Sequence, residues 1–430
     1  MNAPQPPRRG ADILAIAFGT TVVMWSLLYV AALAMWIAVA IGLAGCLFAA
    51  GFAAGRYAGR GPAGGAGQGL VLAGVTLLIL LGLVGDESPG QAGWWIAGFL
   101  VAAVGLGAAG AAAGRRRRPD ERADINWTAA LAWVTTATVL LMLVAGGIVT
   151  GLEAGLAVEG WLIAEGHFLV LFPITLMQRD VSTFVEHAHR LWGLLVGLTT
   201  IVLMVHLWMV DPRRWVRGLS LAIVLAVVVQ GVLGGTRVTE SSVTLAMVHA
   251  VTAQVIFATL VVTAMATSRA WRDAGPPTAA PSVAGDRTLT AVLVAVLLVQ
   301  IVLGTLYRHL QPVPDASRAA LMGVLHGHSF VGSLIVVLMV LFCGIRAWGL
   351  YPQQAVIGRV GKALVHTMGL QVMLGLVSFV LVPKGVRDPD DVITLAEVLF
   401  TTAHQVTGAI LLALAVALFV WERRLLKPER

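Results

Sequence analysis

Charge is scarce in this chain: acidic and basic residues together fill 12% of its 430 positions. Tyrosine occurs four times and cysteine only twice. Each shortage excludes something. A soluble fold is ruled out, because 58% of the residues are hydrophobic and a water-facing surface would have to carry them. Cys46 and Cys343 both fall inside apolar runs, which leaves no disulfide framework and no thiolate metal site. The formal charge of +7 comes from arginines at the ends of apolar runs, a topology signal, so nucleic acid is not an expected partner.

Apolar sequence is what the chain has in quantity. Its mean hydropathy is +0.87, and runs such as "LTAVLVAVLLVQIVLGTL" (Leu289–Leu306) approach the roughly 20 residues that cross a bilayer as a helix. The pattern predicts an all-α polytopic membrane protein. It has about twelve transmembrane helices, at about 11–30, 32–54, 68–85, 92–113, 128–150, 184–209, 217–235, 244–266, 288–306, 320–343, 360–382 and 394–421. The start of the chain has a superficial likeness to a signal peptide. It runs on into a second apolar span with no clear cleavage site and is expected to stay as a helix. Assigning alternate loops to two sides gathers most of the 29 Lys and Arg residues on one of them, in segments such as "GRYAGR", "DPRRWVR" and "WERRLLKPER". That side is expected to be cytoplasmic, with both termini inside a bacterial cell membrane.

Two breaks divide the chain. "GRRRRPDERADIN" ends a Gly/Ala-rich four-helix region of unknown role, 1–122. "WRDAGPPTAAPSVAGDRT" contains a cytoplasmic linker, 273–287, between two sets of four spans, 123–272 and 288–430. The two sets align. "VEHAHRLWGLLV" (Val185–Val196) lies on "VLHGHSFVGSLI" (Val324–Ile335), "VVQGVLGGTRV" has its counterpart in "GLQVMLGLVSFV", and "MVHAVTAQVIFA" matches "TAHQVTGAILLA". Two duplicated four-helix bundles are therefore expected.

Four of the ten histidines fall at one depth: His189, His249, His328 and His404 lie within about three turns of the outer ends of their helices, one pair per half. His187 is two positions from His189, about 200° around the helix, so the two do not share a face. Each of the four is followed one turn later by a small residue, Gly193, Ala253, Gly332 or Gly408, whereas His187 and His326 are followed by Leu191 and Phe330. A flat macrocycle gripped by two imidazoles needs that clearance. Two histidines on facing helices of a four-helix unit is a recurring way to hold heme iron, and the second half has no acid at that depth to complete a zinc site. Two bis-histidine heme sites, one per half, are expected. They are not equivalent: Glu186 shares a helical face with His189 and has Arg190 one turn on, whereas Leu325 and Ser329 stand at those positions in the second half. The asymmetry points to one catalytic half and one electron-transfer half. A diheme b-type cytochrome exchanging electrons with quinone, and a heme or small-molecule transporter, are the alternatives on the same scaffold.

These residues resemble the heme A synthase family over about residues 125–425. The resemblance rests on the signature Glu186-His187-Ala188-His189-Arg190, the loop "GGIVTGLEAGLAVEGW" and the fourth-helix segment "VHAVTAQVIFA". It implies oxidation of the C8 methyl of heme O to the formyl of heme A. By the resemblance His189 and His249 bind the iron of the substrate heme, with Arg190 as a heme-binding residue and Glu186 acting in the chemistry. His328 and His404 would hold a heme b that passes electrons. Implied partners are heme O, a heme O synthase, and quinone or another electron acceptor. The chain departs from the family in lacking a loop cysteine pair, in reading "VEGW" where an acid-Trp-Pro sequence is common, and in carrying the first four spans.

Overall fold

Four of the long helices begin at a short polar side chain that accepts a backbone N–H, and the four candidate ligand histidines are on those helices. Asp180 accepts from Thr183 N (2.8 Å), Ser242 from Leu245 N (3.3 Å), Ser317 from Ala320 N (3.4 Å) and Thr394 from Glu397 N (3.1 Å). Each cap satisfies a donor that a helix terminus leaves open. The caps thereby set how far into its helix each histidine falls.

The computed structural model describes residues 10–31, 36–83, 88–115, 125–280, 282–313, 316–388 and 391–429. Most of the charged segment expected to separate the first four spans, residues 116–124, lies outside them. In chain order the helices are α1 Ala11–Ala31, α2 Trp36–Ala58, α3 Pro62–Leu80, α4 Pro89–Arg115, α5 Trp127–Gly151, α6 Ile174–Met177, α7 Val181–Val210, α8 Arg214–Thr239, α9 Val243–Thr267, α10 Arg269–Arg272, α11 Val283–Leu310, α12 Arg318–Phe330, α13 Val337–Leu350, α14 Ala355–Leu381 and α15 Leu395–Leu425. A π-helical stretch, Val331–Val336, joins α12 to α13 as one span. The only strands among the described residues are two short pairs: β1 Ile163–Ala164 antiparallel to β2 His167–Phe168, and β3 Thr278–Ala280 parallel to β4 Leu426–Pro428.

The protein is all-helical in its spans, as expected. Eleven spans among the described residues are long and apolar enough to cross a membrane. The twelfth expected span corresponds to α3, whose apolar part is shorter, Pro62–Leu78. Its glycine-rich start lacks hydropathy but is helical, so the helix begins before the expected 68.

The chain forms two compact units, residues 1–138 with 162–224, and residues 139–161 with 225–430. In the first, α2, α3 and α4 approach so closely that glycine is needed at the crossings: a Cβ on Gly51 would lie 2.1 Å from the Gly107 carbonyl oxygen, and one on Gly69 2.0 Å from that of Ala103. Small residues let helix backbones meet where lipid supplies no hydrophobic drive between helices. Several polar groups are tied internally: Arg60 pairs with Asp12 at 2.6 Å, Gln68 donates to Ile13 O at 3.0 Å, and Trp192 donates through its indole to Thr138 O at 3.0 Å. In the second unit α15 packs against α9, α11 and α14. At the N-terminal end of α11, Asp286 pairs with Arg346 at 2.8 Å and accepts from Tyr351. Burial, and then that carboxylate, push the Tyr351 phenol up to about 12.

Gly51→Ala is expected to destabilise the first unit by about 1–3 kcal/mol through overpacking. Gly45→Ala, where a Cβ meets nothing within 4 Å, is expected to be neutral. Thermal unfolding in detergent measures the difference, and equal midpoints would contradict the close crossing.

Candidate functional site

A histidine ring must be held in one orientation to act as a metal ligand, and the second unit seats three of them over a glycine. His249 of α9 rests on Gly234 of α8, His328 of α12 on Gly304 of α11, and His404 of α15 on Gly375 of α14. A Cβ on any of those glycines would stand 2.9 Å from the imidazole Cε1. Four residues before each glycine is a glutamine. The Nδ1 of His249 is 3.1 Å from Gln230 O, and that of His328 is 3.2 Å from Gln300 O. In return Gln230 Nε2 donates to His249 O at 2.7 Å and Gln300 Nε2 to His328 O at 3.0 Å. His404 Nδ1 makes no hydrogen bond in the protein, and the Gln371 amide nitrogen lies 3.3 Å from its Nε2, as that of Gln300 lies 3.4 Å from the Nε2 of His328.

His328 and His404 meet. Their ring centroids are 6.2 Å apart and their planes cross at 77°. Metal–imidazole bonds of about 2 Å on opposite sides of one ion separate two ring centroids by roughly 6 Å, so the pair stands at sandwiching distance. Beside it, the Gln300 and Gln371 side-chain oxygens are buried with no hydrogen-bond partner in the protein and retain bonding capacity. Among the described residues no three His, Cys, Asp or Glu side chains converge as a metal cage.

Glu186 and Arg190 also meet, on α7, with Arg190 Nη2 2.6 Å from Glu186 Oε1 and side chains 3% exposed for Glu186 and 9% for Arg190. Such a pair is retained in an apolar setting only if each charge keeps its partner. His189 is half-buried on the same helix. It belongs to the first unit, whereas His249 belongs to the second.

The remaining histidines have other occupations. His187 is 1% exposed and stacks on Phe172, with ring centroids 4.3 Å apart and planes at 24°. His206 bonds Thr128 at 3.0 Å. His366 is exposed, with Nδ1 2.7 Å from Lys362 O, and His326 is exposed. His309 is within electrostatic reach of His249, Arg237 and Arg308.

Two features escaped the sequence reading. The space at Gly332 serves the Gln300 amide, which a Cβ there would approach to 2.4 Å, and at Gly408 the Gln371 amide is the neighbour. The recurring string Gln-x-x-Leu-Gly, at Gln230–Gly234, Gln300–Gly304 and Gln371–Gly375, was the available signal. The second is an ionic cluster that ties down the glycine-rich segment after α5. Arg308 and Arg387 each reach Glu153 at 3.1 Å, Arg387 also pairs with Glu397, and Arg308 donates to Thr150 O at 2.8 Å. Arg237 donates to Gly155 O at 2.6 Å, and Trp161 lies against Gly235. In the first unit Arg179 grips both Glu165 oxygens at 2.6 Å, a hydrogen bond that holds the carboxyl below its ordinary range. The Thr183 N–H does the same for Asp180. Both depressed carboxylates steady this segment at neutral pH, and the contribution is lost as pH falls through their lowered values.

These observations define a polytopic helical membrane protein with a half-buried, preoriented imidazole pair in one unit and a buried carboxylate–guanidinium pair in the other. The chain belongs to the COX15-CtaA family of cytochrome oxidase assembly proteins, matched over residues 129–425. This is the heme A synthase family that its motifs resemble, a family of membrane enzymes. No individually curated protein matches the chain significantly. The first four helices lie outside the family match.

His187→Ala is expected to leave bound heme unchanged while costing about 2–5 kcal/mol, because the buried stack on Phe172 is lost and a cavity is left. Heme per chain and the unfolding midpoint, measured together, check this. Heme loss without destabilisation would make His187 a ligand instead.

Proposed function

We propose that this protein is a heme A synthase, oxidising the C8 methyl group of heme O to a formyl group. The observation that carries the reading is the His328–His404 pair, with centroids 6.2 Å apart, in a chain of this family. His328 and His404 would hold heme b, with Nε2 as the donor atoms. Heme b, when bound there, supplies a one-electron carrier. Heme O is the substrate, with His189 and His249 as its proposed iron ligands and Arg190 as a contributor to its binding.

Turning a methyl into a formyl adds oxygen and releases electrons and protons, so the substrate site needs a group that handles protons in an apolar surrounding. Glu186 is the proposed group. It lies one helical turn from His189, and Arg190 fixes its orientation by the 2.6 Å bond. The second half carries Leu325 and Ser329 where Glu186 and Arg190 stand, which supports assigning turnover to 123–272 and electron transfer to 288–430. The recurrence of one imidazole seat on α8–α9 and α14–α15 supports the proposed duplication. Placing the arginine-rich loops in the cytoplasm puts both termini inside and the candidate heme ends of the helices outside. A heme O synthase and a quinone or other acceptor are the proposed partners.

Coexpression with heme O synthase tests the reading: heme A is expected in the extracted pigment, and only heme B in the presence of heme O would reject it in favour of a diheme cytochrome. Glu186→Gln is expected to keep its bound heme while heme A output falls about 10²–10⁴-fold. Unchanged output would remove Glu186 from the chemistry.

A further inference from the structure

In an α-helix the carbonyl of residue i bonds the N–H of residue i+4, and the side chain at i+4 lies close to that bond. The oxygen keeps a second lone pair, which is ordinarily out of reach of a neighbouring helix. Glycine at i+4 uncovers it. The Gln-x-x-Leu-Gly strings do this three times, at Gln230/Gly234, Gln300/Gly304 and Gln371/Gly375, and each time an imidazole from the next helix in sequence lies in the gap.

We infer that Gln230, Gln300 and Gln371, each with its glycine, are positioning residues that seat an iron-ligating imidazole and set its donor strength. The inference rests on the reading of His249, His328 and His404 as heme ligands and deepens it. An N–H at Nδ1 donating to a backbone carbonyl leaves the lone pair on Nε2, which is the tautomer a metal requires; in His328 that lone pair faces the Gln300 amide at 3.4 Å, a contact that an iron would replace. The glutamine carbonyls at 3.1 Å and 3.2 Å serve that end for His249 and His328. The glutamine side chain works on the other side of the exchange. By donating to the histidine's own backbone oxygen, at 2.7 Å and 3.0 Å, it holds the two helices in register and the ring over the glycine. Two of the seats differ in finish from the third. Gln230 Oε1 accepts from Thr252 Oγ1 at 2.6 Å and is locked, whereas the Gln300 and Gln371 oxygens find no protein partner. The His328–His404 site is thus held by amides with capacity to adjust, and His249 by a fixed one.

A bond from Nδ1–H to a carbonyl makes the imidazole a stronger donor, which favours ferric over ferrous iron. Loosening the seat weakens that donation, so the reduction potential rises.

The test uses the full-length protein purified with its heme. Gly304→Ala and Gly375→Ala each place a methyl 2.9 Å from an imidazole Cε1, and each is expected to lower bound heme per chain about 10-fold or more or to convert its low-spin spectrum to high-spin. Gly369→Ala, on the same helix as Gly375 with nothing within 4 Å of the added carbon, is the folding control and is expected to load heme as the parent does. Gln300→Leu is expected to keep its heme with a raised midpoint potential, a readout that simple destabilisation does not move. Parental loading, spectrum and potential in Gly304→Ala, Gly375→Ala and Gln300→Leu would overturn the seat. His328→Ala separates this from failure of the underlying reading. If it too loads heme b with the parental spectrum, ligation by His328 is wrong. If it loses heme while the seat variants do not, only the seat is wrong.

Discussion

A polar ring inside a membrane has no water to fall back on, so its N–H must find a partner within the protein, and in a helical bundle nearly every carbonyl is already committed. The bare second lone pair behind a glycine is the exception, and His249 and His328 both use it. That contact orients each ring and, through the glutamine amide, ties neighbouring helices together. It also fixes the spacing that follows: with each ring pressed onto its glycine, the His328 and His404 rings face one another at 6.2 Å. The seats of His249 and His328 are thereby built on helix backbone that a glycine uncovers.

The first unit meets the same constraint with charges. Glu186 and Arg190 are 3% and 9% exposed and neutralise one another one turn apart on α7. Removing either leaves an unpaired charge in an apolar surrounding, which costs far more than the pair contributes. The Arg387–Glu397–Glu153–Arg308 cluster follows the same rule at the loop after α5, holding a glycine-rich segment that has little apolar surface of its own to pack. Packing of α2, α3 and α4 is steric instead, through glycines that let backbones touch.

Much of this was legible in the sequence, because a bilayer imposes one pattern. Apolar runs located the spans, and Asp180, Ser242, Ser317 and Thr394 announce helix starts by their side chains. Hydropathy misplaced the beginning of α3, since "PAGGAGQG" is helical without being apolar. Depth groups His189, His249, His328 and His404 alike; the meeting of His328 and His404 is given by the structure. A small residue one turn after each candidate ligand suggests clearance for a macrocycle, and at Gly332 the Gln300 amide lies in that space. The π-helical turn at Val331–Val336 has no signature in residue type. Arg308 and Arg387 reach Glu153 from more than 150 residues away, a separation at which spacing carries no information. The Gln-x-x-Leu-Gly strings were visible, but their meaning depends on the facing helix, which a linear pattern does not supply.

The proposed heme site requires His328 and His404 to grip one iron with their rings steeply crossed. Electron paramagnetic resonance of the oxidised, purified protein reads that geometry directly, since the anisotropy of a low-spin ferric signal grows as two axial imidazole planes approach perpendicular. Rings at 77° predict a highly anisotropic low-spin signal that disappears in His404→Ala. A rhombic signal of parallel rings, or a high-spin signal indifferent to His404, would contradict the site.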